Sequence, residues 1–341
     1  MRTRNLIKFL LDNLIWFLLL LVMVGFSLLT PRFLTQTNIT NMLLHATVLG
    51  VLVVGQSFTL ITGNFDLSAE SILAIAALVG AWFILPAGAP SFGGGIMLSP
   101  VMGVFICFLI GLGAGWLNGQ LITRLKMNNF IVTLAMLIIY RGLMLIIAEG
   151  NTMTKLPAFY KSLGHDSIGT IPIAIIVMVL VFAVAFVITQ YKPFGRSLYA
   201  VGGNRDAALA AGISPDRRIR QVYIISGILA AMAGWMLAGR TGVIVENMGK
   251  GMIFEIQAAA VIGGISLQGG RGSMIGAFGG VILLSAINSG LSLMRISPFW
   301  IEIARGMIIL IAMLIDSQKA RFTSQSVTPS STVILEEKSP A

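Results

Sequence analysis

The sequence predicts an all-α polytopic membrane protein of about ten transmembrane helices, and three observations carry that prediction. Of 341 residues, 56% are hydrophobic and only 11% charged, where an ordinary soluble domain carries about a quarter charged residues. Apolar runs of about the twenty residues that a helix needs to cross a hydrocarbon core recur along the chain. The lysines and arginines between those runs fall unequally on alternate connections, as they do when basic loops are retained in the cytoplasm.

Taken in order, the expected spans are 14–30, 43–62, 67–85, 96–123, 129–148, 171–190, 222–240, 254–266, 274–294 and 299–316. The first follows Arg2, Arg4 and Lys8 but leads into Thr30-Pro31-Arg32-Phe33 instead of a small-residue cleavage site, so it is expected to be a retained helix. The eighth is too short for a regular crossing. With the N-terminus inside, only Arg32, Lys155, Lys161, Arg240, Lys250 and Arg295 fall outside, and Arg141 and Arg305 lie within spans. The other fifteen of the 23 basic residues are cytoplasmic, which favours an inner-membrane protein with both termini inside. The +10 charge is thus explained by loop retention next to membrane lipid, and no nucleic-acid partner is expected.

Residues 1–316 form the expected transmembrane domain. Its longest polar cytoplasmic segment, 191–221, holds Lys192, Arg196, Arg205, Arg217, Arg218 and Arg220 and is the natural docking surface. The Ser-, Thr- and Pro-rich tail 317–341 has the composition of a disordered cytoplasmic end. Gly111, Gly115 and Gly119, spaced by four, make one small face for close helix packing.

Catalytic signatures are absent from the sequence. Two histidines, His45 and His165, and the single cysteine, Cys107, offer no H-E-x-x-H and no cluster of metal ligands, and no G-x-S-x-G or phosphate loop occurs. No metal site and no cofactor are expected in this chain, and a transport subunit is expected instead of an enzyme. Uphill transport would draw its energy from another subunit or from an ion gradient.

Two polar segments interrupt the apolar pattern at membrane depth, residues 63–71 and 263–273. Irregular backbone is tolerated there only where protein or a water-filled cavity satisfies it, so each marks a broken or re-entrant helix. Such breaks supply polar groups to translocation sites, which makes Asn64, Phe65, Asp66, Ser68, Glu70, Ser266 and Gln268 the candidate pathway residues. Asp66 and Ser68 also suit a helix N-terminus as caps. Glu70 lies one turn into an apolar helix, where an ionised carboxylate is costly without a partner. Facing the pathway, pairing with Arg141 or Arg305, and lying near the interface stay open as readings.

The segment from Phe194 through Tyr199-Ala200-Val201-Gly202-Gly203-Asn204-Arg205-Asp206-Ala207-Ala208 to Gly212-Ile213 resembles the cytoplasmic loop of ABC sugar-import permeases of the ribose/xylose/arabinose type. These permeases sit within the branched-chain amino-acid permease superfamily. Gly63 to Ser71 is similar to that family's G-G-I-D-L-S-V-G-S, and Val261 to Gly276 to its V-I-G-G-x-S-L-x-G-G-x-G-S-x-x-G. Ser297-Pro298-Phe299-Trp300 and Leu314-Ile315-Asp316 also match, so the resemblance covers approximately residues 35–317. It implies a partner ABC ATPase that uses ATP and Mg, a periplasmic substrate-binding protein, and a second permease copy, identical or paralogous.

By the same resemblance, Asp206-Ala207-Ala208 with Gly212 is similar to the E-A-A-x-x-x-G coupling motif. Arg205, Asp206, Ala207, Ala208, Gly212, Arg217 and Arg218 are the residues expected to meet the ATPase. The chain departs from the family at Asn64-Phe65, where Gly-Ile is usual, and at Ala69-Glu70, where Val-Gly is usual. Those departures leave the solute open among monosaccharides and polyols. A branched-chain amino-acid permease is one alternative, and an ion-coupled secondary transporter using Asp66 and Glu70 is another.

Overall fold

A computed structural model describes residues 13–86, 94–297, 299–303, 306, 307 and 310. Twelve helices are defined among them: α1 (Leu14–Leu29), α2 (Gln36–Ile61), α3 (Ala69–Trp82), α4 (Pro100–Thr123), α5 (Asn129–Ala148), α6 (Ala158–His165), α7 (Ile173–Tyr191), α8 (Pro193–Gly203), α9 (Arg205–Ala210), α10 (Pro215–Thr241), α11 (Met252–Ile262) and α12 (Met274–Leu293). The described strands are a two-residue antiparallel pair, β1 (Ser167–Ile168) and β2 (Ile171–Pro172). The chain is therefore an all-α polytopic membrane protein. The expected tail 317–341 and most of the span 299–316 lie outside the described residues.

Among the described residues, six helices are long and apolar enough to cross a membrane: α2, α4, α5, α7, α10 and α12. The most apolar stretch of α2 is 89% buried, whereas those of α4, α5 and α7 are 28%, 22% and 28% buried. Hence α2 is the central post, and the other three turn most of their surface outward. Side chains such as Leu180 and Ile138, more than half exposed, belong against lipid because hydrocarbon is their solvent.

Packing follows the small residues. A methyl group at Gly111 would overlap the Gly227 carbonyl, one at Gly115 the Tyr223 carbonyl, and one at Gly119 would press on Arg220 of α10. The four-residue glycine face of α4 thus brings it against α10 at backbone distance, as small-residue faces do in membranes. Cys107 lies on the same helix, fully buried, with its thiol directed at the Ala231 carbonyl.

Two expected spans, 222–240 and 43–62, belong to helices that begin earlier. The segment 191–221 is largely helical, made of α8, α9 and the first seven residues of α10, which begins at Pro215 instead of residue 222. Proline at the first helical position has no amide hydrogen to lose and is preset for helix, and this signal outweighed the charge of Arg217, Arg218 and Arg220. Span 43–62 likewise begins early, at Gln36, where the Thr35 hydroxyl accepts from the Asn38 amide as an N-cap. The eighth span, expected to be too short for a regular crossing, is the eleven residues of α11, about 16 Å of helix.

The connection from α10 to α11 was not anticipated. Ile244 pairs with Met153 beyond the end of α5, and the chain then turns back inward. A side chain at Gly249 would meet Leu73 and the Glu70 carbonyl of α3. Glu70 is twelve residues along α3 from Trp82, about 18 Å at the helical rise. Residues 245–251 are therefore a third irregular segment at membrane depth, beside the two breaks at 63–71 and 263–273.

Candidate functional site: three breaks and a protruding helix

The first break is organised around Asp66, which is fully buried. One carboxylate oxygen accepts from the Ser68 amide at 3.0 Å and the Ser68 hydroxyl at 2.6 Å, and the other accepts from the Ser226 hydroxyl of α10 at 2.7 Å. Asn118 of α4 donates to Ser68 at 2.8 Å and accepts from Tyr140 of α5 at 3.3 Å. Tyr223 donates to the Phe65 carbonyl at 2.6 Å. One carboxylate thereby ties the break to α4, α5 and α10. Ser68 occupies the N-cap position of α3 without a side-chain cap bond, because its hydroxyl is given to Asp66 instead.

Removing the Asp66 carboxylate leaves several buried hydroxyl and amide donors unsatisfied, each costing about 1–3 kcal/mol. Asp66→Ala is expected to lower the yield of folded protein and its thermal midpoint in detergent markedly, and Asp66→Asn less, since an amide oxygen still accepts. Equal stability of Asp66→Ala and the parent would contradict this role.

Asn64 is nearly buried, donates to Thr62 and accepts from Asn129 of α5 at 2.9 Å. Phe65 is partly exposed. In the second break, Ser266 is half-buried, its hydroxyl accepts from the Gln268 amide, and Gln268 itself is exposed. Of the seven candidate pathway residues, the structure thus leaves Phe65, Ser266 and Gln268 accessible on this chain. It encloses Asp66, Ser68 and Glu70 and nearly encloses Asn64.

Glu70 pairs with Arg141, with 3.6 Å between charged atoms and both side chains mostly buried. The pair serves the third irregular segment. Arg141 donates to the Met248 carbonyl at 2.8 Å and the Glu246 carbonyl at 3.4 Å, and Glu70 accepts from the Ile253 amide at 2.9 Å, in the first turn of α11. Backbone that leaves helical geometry inside a membrane needs such partners, and a carboxylate suits a helix N-terminus. Sequence reasoning named the Arg141 partnership as one of three readings, but nothing in the sequence of 245–251 announced that its backbone needed the pair.

The two named breaks meet the polar end of the molecule in a glycine junction. The Gly270 amide donates to the Ile61 carbonyl, the last residue of α2, at 2.9 Å. A methyl on Gly202 of α8 would overlap that carbonyl and press on the Gly270 amide, and one on Gly269 would press on Gly63. The Tyr199 hydroxyl of α8 donates to the Gly272 carbonyl at 3.0 Å. Backbones of both breaks and of α8 are therefore in direct contact, with no side chain between them.

From this junction α9 projects outward. Asn204 caps it by accepting from the Asp206 and Ala207 amides at 3.0 and 2.9 Å, and Gly212 ends it at φ +78°, a left-handed conformation that glycine adopts without strain. Arg205, Asp206, Ala207 and Gly212 are exposed, as is Leu209 at 61%, while Ala208 is buried. Asp216, in the first turn of α10, pairs with Arg205 and, at 2.5 Å, with Lys126 of the α4–α5 connection. Arg217 is exposed, and Arg218 lies over the Phe194 ring and donates to Gln221. The seven residues predicted for docking thus share one end of the molecule, but Ala208 and Arg218 hold that end together more than they present themselves. Leu209 was missed: its exposure depends on which face of the six-residue helix turns inward.

Buried polar breaks at membrane depth, wired through backbone contacts to an exposed polar helix, define a multi-pass membrane transport protein. Residues 38–313 match the family described as branched-chain amino acid transport system / permease component, and the chain belongs to that family. It is 36% identical to the ribose import permease protein RbsC of Bacillus subtilis over 89% of this chain and 91% of that one. It is 32% identical to the autoinducer 2 import system permease protein LsrC of Photorhabdus laumondii over 86% and 85%. It is 30% identical to the ribose import permease protein RbsC of Haemophilus influenzae over 91% and 94%. No solved structure matches the chain.

Proposed function

We propose that this chain is the transmembrane subunit of an ATP-driven importer for a small carbohydrate, a monosaccharide or polyol, in the bacterial inner membrane. The α8–α9 end and both termini face the cytoplasm. A separate ATPase, which binds ATP and Mg, docks on α9; a periplasmic binding protein delivers the solute at the opposite end; and a second permease copy or paralogue completes the route. The relatives' names, for ribose and autoinducer 2 import, favour a hydroxylated solute over a branched-chain amino acid. The ion-coupled alternative is disfavoured because Asp66 and Glu70 are committed to protein hydrogen bonds and to Arg141.

The observation that carries the reading is the glycine junction. A force on α9 reaches Ile61 and Gly270 through α8 backbone packed directly on both, so movement of an ATPase pair can displace both breaks together. Docking is expected to bury Leu209, an apolar side chain otherwise exposed on a polar surface. Burying a leucine contributes about 1.5–3 kcal/mol, and a carboxylate in its place would have to be desolvated. Leu209→Asp should therefore weaken ATPase association by roughly tenfold or more, with the permease still folded. Co-purification of ATPase at parent stoichiometry, with unchanged solute-stimulated hydrolysis, would sink the proposal.

A further inference from the structure

Resting on that reading, we propose that α11 and its two irregular flanks form the wall of the solute route, and that the Gln257 side-chain amide is the hydrogen-bonding group for solute hydroxyls at its middle. The first support is the solvent requirement of the backbone. One flank, 245–251, passes Gly249 beside Glu70 about 18 Å along α3 from Trp82, and the other is the break at 263–273. Lipid offers no partners to irregular backbone, which is tolerated at that depth only inside protein or along a water-filled cavity. Both flanks nevertheless reach the surface of this chain, at Asn247 and Lys250 on one side and at Gly264 and Gln268 on the other.

The second support is the helix between them. Phe254 and Gln257 are spaced by three, which places them on one face of α11; Phe254 is exposed and Gln257 is half-exposed. The opposite side is committed to the protein, since α12 packs through Gly280 on the Ala259 carbonyl and Gly263 packs on Ala277. A short helix between two broken segments, with one face open, is the arrangement in which polar solutes meet a membrane protein.

The third support is Gln257 itself. Among the described residues, neither its amide nitrogen nor its amide oxygen has a hydrogen-bond partner, and both atoms are tucked beneath the surface. An unpartnered amide costs stability where it sits, so packing gives no reason to keep it there. No hydrogen bond has to break for rotation of the side chain to turn it toward the open face. An amide both donates and accepts, which matches a hydroxyl, itself donor and acceptor.

The test uses the complete importer in proteoliposomes and reads labelling of this chain, whose only native thiol is Cys107, buried in α4. Phe254→Cys and Gln268→Cys are expected to react with a membrane-impermeant thiol reagent roughly tenfold or more faster than Leu180→Cys on the outward face of α7. Gln257→Leu, which removes one neutral hydrogen-bonding group, should lower kcat/KM for uptake of D-ribose or ribitol by about three- to tenfold while leaving thermal stability equal or higher. A structural role for the amide predicts the opposite stability change. Reaction of Phe254→Cys and Gln268→Cys no faster than Leu180→Cys would show a dry surface covered by lipid or a second chain and overturn the wall. Parent uptake kinetics in Gln257→Leu would overturn the assignment of the amide. Fast labelling with no ATP-dependent uptake of either probe by the parent complex would support the wall and overturn the carbohydrate reading on which the amide's role rests.

Discussion

Arg141→Met is expected to be among the most damaging single changes in the membrane-spanning region. It strips the Met248 and Glu246 carbonyls of their donor and leaves Glu70, only 6% exposed at its side chain, as an uncompensated buried charge. Removing one member of a buried pair costs about 3–5 kcal/mol, a large part of the 5–15 kcal/mol that ordinary domains have. Glu70→Gln alone should cost less, because its amide oxygen still accepts from Ile253. The double change Glu70→Gln with Arg141→Met should be more stable than Arg141→Met alone, since no charge is then stranded. Thermal unfolding midpoints of the four proteins in one detergent would check the ordering. A double variant as unstable as the sum of the singles would mean that the two residues act independently.

Gly202→Val is expected to have the second large effect, by a different route. Its side chain would have to occupy the space of the Ile61 carbonyl and the Gly270 amide, and those are the two groups that hydrogen-bond each other across the break. The junction must open or α8 must shift, and either separates the two breaks from α9. The expected outcome is a complex that assembles and hydrolyses ATP but loses most solute uptake, with hydrolysis no longer responding to solute. Gly203→Ala is the control, because a methyl there meets open space and the backbone needs no special conformation. Uptake reduced equally in both variants would remove the claim that this contact couples the two ends.

How far the sequence could be read divides along physical lines. The spans over α4, α5, α7 and α12 were legible to within a few residues, because a hydrocarbon environment imposes length and composition directly on a helix. The glycine face of α4 was legible because its four-residue spacing is a local pattern with one packing consequence. The start of α10 was not, since the charges of Arg217, Arg218 and Arg220 resemble a loop until the Pro215 start is weighed against them. The segment 245–251 was opaque for a deeper reason: its residues are unremarkable in sequence, and what makes them a re-entrant turn is the distant pair Glu70 and Arg141.

The candidate site shows the same division. Asp66 and Glu70 were picked out because ionisable groups at membrane depth demand an explanation, and both found partners in elements far along the chain, Ser226 and Arg141. Their burial could not be read from neighbours in sequence. Gln257 carried no signal at all, as a single glutamine in an apolar stretch marks nothing until its lack of partners is seen.

The central claim is that this chain is one part of an ATP-driven route and does not transport alone. Proteoliposomes holding the permease with its ATPase, with the binding protein and radiolabelled D-ribose or ribitol supplied at the α10–α11 side, test it most directly. The account predicts accumulation that requires ATP hydrolysis and every component, and that an imposed proton or sodium gradient cannot replace. Gradient-driven uptake by the purified chain in the absence of ATPase would contradict it.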